Sequence, residues 1–195
     1  MIRSLRAALA AALLAACATG PRGAPVAMDA TPPSALEAGA AFRPEGEIFL
    51  APARTAGTTT AYGRWRVVGP NASLSVNAQG QWGGTLKEEP LLLTVRDGRI
   101  TGAGVELEAW REGASIRVRG LWRQERLDLT FAPDGIRGTP GAGCSLDLRP
   151  GEGLRWNGFL GCPGTDMLVM ELRGTAGSLP DVPLPQWLLA FLAGL

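Results

Sequence analysis

Between Val105 and Phe131, apolar residues return at every second position. Val105, Leu107 and Ala109 alternate with Glu106, Glu108 and Trp110; Ile116, Val118, Gly120 and Trp122 alternate with Arg117, Arg119, Leu121 and Arg123; Leu127, Leu129 and Phe131 alternate with Asp128 and Thr130. A period of two belongs to strands with one buried face, since a helix would return its apolar positions every three or four residues. Turn-forming stretches such as "RDGRITG", "REGA", "APDG" and "RPGEG" bound the runs. The pattern predicts an antiparallel meander. "EIFLAP", "GRWRVV", "QWGGTL", "PLLLTV", "RWNGFL" and "DMLVMEL" extend it, for about eight to ten strands in all.

The charges predict a register. Pairing Glu108 with Arg117 across the turn at 111–114 sets Glu106 opposite Arg119 and Leu107 opposite Val118, which joins opposite charges on one face and apolar residues on the other. An internal repeat aligns "QWGGTL", "RVRGLW" and "RWNGFL" on Gly84, Gly120 and Gly158, spaced by 36 and 38 residues. A glycine recurring on the apolar side of a strand marks a bend, a bulge or the close approach of another group, here expected to be a tryptophan. Curvature repeated in this way closes a meander. The expected fold is therefore all-β, barrel-like or an open sandwich, as one domain over residues 46–195. The C-terminal "QWLLAFLAGL" is apolar nearly all round and too short to span a bilayer, which predicts a short helix packed over a barrel mouth or the outer sheet face.

The first residues differ in kind. Arg3 and Arg6 precede the apolar run from Ala7 to Ala16, the shape of a secretory signal. Leu14-Ala15-Ala16-Cys17 resembles the lipobox of bacterial lipoproteins. The resemblance covers only the first twenty residues. It implies removal of residues 1–16, a diacylglyceryl group on the Cys17 sulfur, an acylated new amino terminus and anchoring in the cell envelope. Ala18, where an aspartate would favour the inner membrane, implies the outer membrane. Residues 17–45 then read as the lipidated cysteine and a Pro/Ala-rich tether.

Cys144 and Cys162 remain, an even number in an exported chain, which predicts a disulfide. Pairing Asp147 with Arg155 would set Cys144 opposite Gly158. Opposing the two cysteines instead requires a shifted register and a longer turn, and the redox argument favours that arrangement.

The chemistry of catalysis is sparse. Without histidine the chain lacks the commonest general base, and a zinc site would lack partners. Glu106 and Glu108 read as a solvated charge ladder, Ser145 near Asp147 has no base beside it, and the glycines of "GAGC" and "GRITGAG" precede strands, so no helix N-terminus is there to hold phosphate. No catalytic set, metal or cofactor is expected. Without residues 1–16 the 19 basic residues fall to 17 against 18 acidic ones, which gives no case for nucleic acid. Trp65, Trp82, Trp122 and Trp156 fall on strands with apolar parity and would line any enclosed cavity. The expectation is a membrane-anchored, non-catalytic envelope lipoprotein binding a small apolar or lipid-like ligand there. The alternative is a structural or assembly subunit docking onto an envelope protein, which a filled interior would favour. A transmembrane barrel shares the alternation but conflicts with charge pairs on the wall expected to be wet.

Overall fold

A computed structural model describes residues 23–28, 32–34, 37, 40–52, 56–102, 104–141, 143–162, 166–177 and 184–195. Residues 1–16, expected to be a signal segment, and Cys17 lie outside the described residues. The strands are β1 (Gly46–Pro52), β2 (Thr58–Gly63), β3 (Arg66–Gly69), β4 (Ala72–Val76), β5 (Gln81–Leu86), β6 (Glu89–Arg96), β7 (Arg99–Gly102), β8 (Val105–Glu112), β9 (Ser115–Trp122), β10 (Glu125–Ala132), β11 (Gly135–Thr139), β12 (Ser145–Pro150), β13 (Arg155–Gly161) and β14 (Asp166–Gly174). Each pairs antiparallel with its chain neighbours, and β1 closes on β14 from Gly46↔Gly174 to Pro52↔Leu168. A 3₁₀ turn over Thr175–Gly177 and a helix, α1 (Leu184–Gly194), follow.

The architecture is a closed, up-and-down barrel of 14 strands rather than eight to ten. The difference lies in short elements. "GRWRVV" is the end of β2, a turn at Arg64-Trp65 and the four-residue β3, so Trp65 sits in a turn instead of on a strand. The turns Lys87-Glu88 and Arg123-Gln124 adopt positive φ without a glycine, so they lack the usual signature of a tight hairpin.

The facing of the strands follows the alternation. Leu107, Ala109, Ile116, Val118, Leu127, Leu129 and Phe131 point inward and are 0–2% exposed. The β8–β9 register is two residues away from the charge-based expectation. Glu108 pairs with Arg119, Glu106 with Leu121 and Leu107 with Gly120, because the turn contracts to Gly113-Ala114 between Glu112 and Ser115. A shift of two preserves every residue's face, and the charges find other neighbours: Glu108 bonds Arg99 at 2.7 Å, and Arg117 grips Asp128 through two hydrogen bonds of 2.9 Å. In β12–β13 the longer turn prevails. Ser145 pairs with Gly161, and Cys144 and Cys162 form a disulfide with their Cα atoms 4.3 Å apart.

The glycine repeat is finer than 36 residues. Gly84, Gly102, Gly120, Gly138 and Gly158 occupy β5, β7, β9, β11 and β13, at intervals of 18, 18, 18 and 20. What approaches them is backbone, not indole. A Cβ on Gly120, where φ is +147°, would lie 1.9 Å from the Glu106 carbonyl oxygen; on Gly138 the same construction meets Asp128 O at 1.9 Å. One hairpin is thus the repeating unit, and its second strand is coiled tightly against the first, the local curvature that closes a wide barrel.

Candidate functional site

A barrel of about eight strands is filled by its own side chains, whereas wider ones leave a channel or need a plug. Here α1 is the plug. Gln186 is 9% exposed and Trp187 to Ala193 are at most 3% exposed, which is burial on every face. The helix packs on β1, β2 and β3, while across the lumen Trp187 and Phe191 meet the inward-facing Phe131 of β10 edge-on, at ring-centroid distances of 5.1 and 5.8 Å. Trp187 and Phe191 stack on each other at 5.1 Å. A helix without a polar face can be stable only in such a place. Gln186 Nε2 donates to the Arg64 carbonyl (2.8 Å) at the mouth where β1 begins, and Asn71 Nδ2 donates to the Ala193 carbonyl (3.4 Å) at the other. The helix therefore runs through the lumen from the near mouth to the far one, and does not lie over a mouth or an outer face. Its first turn carries Pro185, which suits a position whose N–H has no partner within the helix.

The four sequence-selected tryptophans are not brought together. Trp82 is 1% exposed and Trp156 is 8% exposed, both in the core around α1. Trp65, under the Arg64 guanidinium at 5.0 Å, borders a near-mouth groove of ≈ 690 Å³ with Phe42, Arg43 and Glu45. Trp122 borders a far-mouth groove of ≈ 300 Å³ with Lys87, Arg123, Leu160, Leu192, Leu195 and the disulfide. Arg123 donates to the Leu86 carbonyl and pairs with Glu89 at 3.2 Å. Partial burial, helped by the Arg123 charge, holds the Lys87 ammonium below the ordinary lysine range.

No family model, curated protein or solved structure matches the chain. The chemistry must be read from the molecule alone. Among the described residues three buried side-chain polar atoms lack a hydrogen-bond partner: the indole nitrogens of Trp82 and Trp187 and the Gln186 side-chain carbonyl. Two donors and an acceptor in an apolar interior do not form an acid–base or nucleophilic set. Among the described residues no cluster of three metal-ligating side chains occurs. Glu106 and Glu108 stand on the outer wall of β8, and Ser145 lies on the outer edge of β12 beside the disulfide.

The outer wall divides into two chemical halves, which the sequence reading missed. From β7 round to β1, ion pairs cross the strands: Arg99–Glu108 (2.7 Å), Arg117–Asp128 (2.9 Å), Arg137–Asp147 (3.5 Å), Arg155–Glu171 (2.7 Å) and Arg173–Glu47 (3.8 Å). Hydrogen bonds from Arg149 and Arg155 hold Asp147 and Glu171, respectively, below the usual carboxylate range. From β2 to β5 the outward residues are Thr59, Ala61, Arg66, Val68, Ser73, Ser75, Gln81, Gly83 and Thr85, with a single charge among them. Val68 is 42% exposed there, and Leu92 of β6, over Gly83, is 51% exposed. A second apolar pair, Phe159 and Met167, more exposed than Val68 and Leu92, interrupts the charged half. The missed signal is visible in "TTTAYG" and "ASLSV": alternation whose polar partners are hydroxyls and small residues instead of charges.

Proposed function

We propose that this chain is a non-catalytic lipoprotein of the cell envelope, anchored through Cys17, that works as a structural or assembly subunit and docks its uncharged outer wall against another envelope protein. The observation that carries this reading is the filled lumen. With the side chains of α1 packed into the interior, recognition falls to the outside of the barrel. On that outside, the wall of β2 to β5 can be covered while taking a single charge, Arg66, out of water, whereas covering the other half would desolvate a whole ladder of ions, which is costly. An apolar interior and an ion-paired exterior also support a water-facing barrel, since a membrane-spanning one presents its apolar face outward.

A second reading keeps the small-ligand expectation and moves it to the far mouth. Trp122, Leu160, Leu192 and Leu195 offer an apolar floor with Lys87 and Arg123 at its border, the chemistry that suits an amphiphile with an acidic head. One experiment on the mature lipoprotein separates the readings: photo-crosslinking in the intact envelope from Thr85 and, separately, from Arg119. A discrete protein adduct from Thr85 alone supports the subunit. Absence of adducts at both positions, with extra dissociable mass on native mass spectrometry, returns the weight to ligand binding.

A further inference from the structure

Part of the stretch that reads as a tether lies on the barrel. Along one edge of β8 the ladder from β7 ends where the Ala109 N–H donates to the Gly98 carbonyl (2.8 Å). Beyond that point residues 24–26 take over the edge: Val26 N–H donates to the Ala109 carbonyl (3.1 Å), Arg111 N–H donates to the Ala24 carbonyl (2.9 Å), and Pro25 bridges to Trp110. Met28, 1% exposed, is buried in the core, and Gly23 lies so close to the strand that a Cβ on it would fall 1.6 Å from the Arg111 carbonyl oxygen. This contact fixes where the chain leaves the barrel: at the near-mouth rim, running away from β8 past Arg111.

Five residues lie between Cys17 and Gly23, so six Cα–Cα steps join them. Fully extended, they reach about 22 Å. The polar headgroup layer takes up about 5–8 Å of that, which leaves about 15 Å between rim and membrane surface. The eight residues of β8 extend about 26 Å, and a strand tilt near 40° still puts the far mouth about 20 Å from the rim. With residues 24–28 docked, the far mouth cannot turn to the membrane.

We infer that in the anchored protein the rim formed by Gly23, Trp110, Arg111 and the Arg96–Gly98 turn faces the bilayer, and the far mouth with the Cys144–Cys162 disulfide faces away. The inference rests on lipidation of Cys17 as proposed above. Arg111 and Arg96 are both exposed at this rim, Arg96 lying 3.4 Å from the Asp97 carboxylate, and carry guanidinium groups that suit lipid phosphates. The wall of β2 to β5 then stands upright from the membrane, where a partner anchored in the same membrane can meet it.

The test uses the full mature lipoprotein in phosphatidylcholine–phosphatidylglycerol vesicles containing an acceptor-labelled lipid. A donor dye is attached at Ala114→Cys near the rim or at Arg126→Cys near the far mouth. The expected result is several-fold stronger energy transfer from position 114. A Gly/Ser insert of about 20 residues after Ala18 adds about 25 Å of reach and should erase the difference while the barrel and vesicle binding are unchanged. Equal transfer from both positions in acylated protein without the insert overturns the orientation. If the mass of the N-terminal peptide shows a bare Cys17, the anchoring reading itself fails and takes this inference with it, a result distinct from equal transfer.

Discussion

The barrel has two halves that are alike inside and unlike outside. Leu74 and Trp82 in the uncharged half are buried as Leu129 and Leu148 are in the charged one, and α1 touches both, through β2 and β3 on one side and through β1 and Phe131 on the other. Folding therefore demands the same of both inner faces. It makes no such demand on the outer faces, where exposed ion pairs contribute little stability. The contrast between a ladder of arginines and carboxylates and a row of Thr, Ser, Ala and Gly is thus better explained by what each half meets than by how the chain folds.

Breaking what the halves share has the largest effect. Trp187→Ala removes the ring that stacks on Phe191 and meets Phe131 edge-on, and is expected to cost about 3–5 kcal/mol in denaturant unfolding, with loss of structure in both halves together. Gly120→Ala forces a side chain toward the Glu106 carbonyl at a φ that side chains rarely adopt, and is expected to cost about 2–3 kcal/mol. Changes confined to the outside should do much less. Arg117→Ala, which strips Asp128 of its bidentate partner, is expected to cost about 0.5 kcal/mol, and Thr85→Lys to stay within about 0.5 kcal/mol of the parent while weakening association with the proposed envelope partner.

The pH dependence separates the halves from opposite sides. Asp147 and Glu171 titrate below the ordinary carboxylate range because arginines hold them. Their contribution is complete above that range and is lost as pH falls through the lowered values, so acid loosens the charged half. Tyr62, on β2, is fully buried and hydrogen-bonded to Thr175 Oγ1 (3.1 Å). Burial raises its pKa to about 12. The stability that depends on a neutral phenol is present below the ordinary tyrosine range and is lost as pH rises through about 12. Tyr62 is the only tyrosine, so tyrosinate absorbance reads it directly. A midpoint near that of a free phenol would mean that the near mouth is open.

The sequence disclosed what depends on parity and little that depends on count. Alternation assigned inner and outer faces correctly even where the β8–β9 register was displaced, because a shift of two leaves the faces unchanged. The cysteines fixed the β12–β13 register that local charges misjudged. Strands as short as β3 and β7, and tight turns built from Lys87-Glu88 or Arg123-Gln124, gave no signal that the usual glycine and asparagine rules detect. The place of α1 was hidden for a different reason. Its all-round apolarity announces burial, but the space that receives it exists only once the number of strands is known. The uncharged wall was in plain view and carried no motif.

Amide hydrogen exchange across residues 188–193, whose N–H groups bond within the helix, tests the central claim most directly. If α1 fills the lumen, its amides can open only when the barrel opens, and they should exchange with the slowest protection class, matching the inward strands β8 to β10. Rapid exchange of the helix while those strands stay protected would contradict this account, because the lumen would then be free to hold something else.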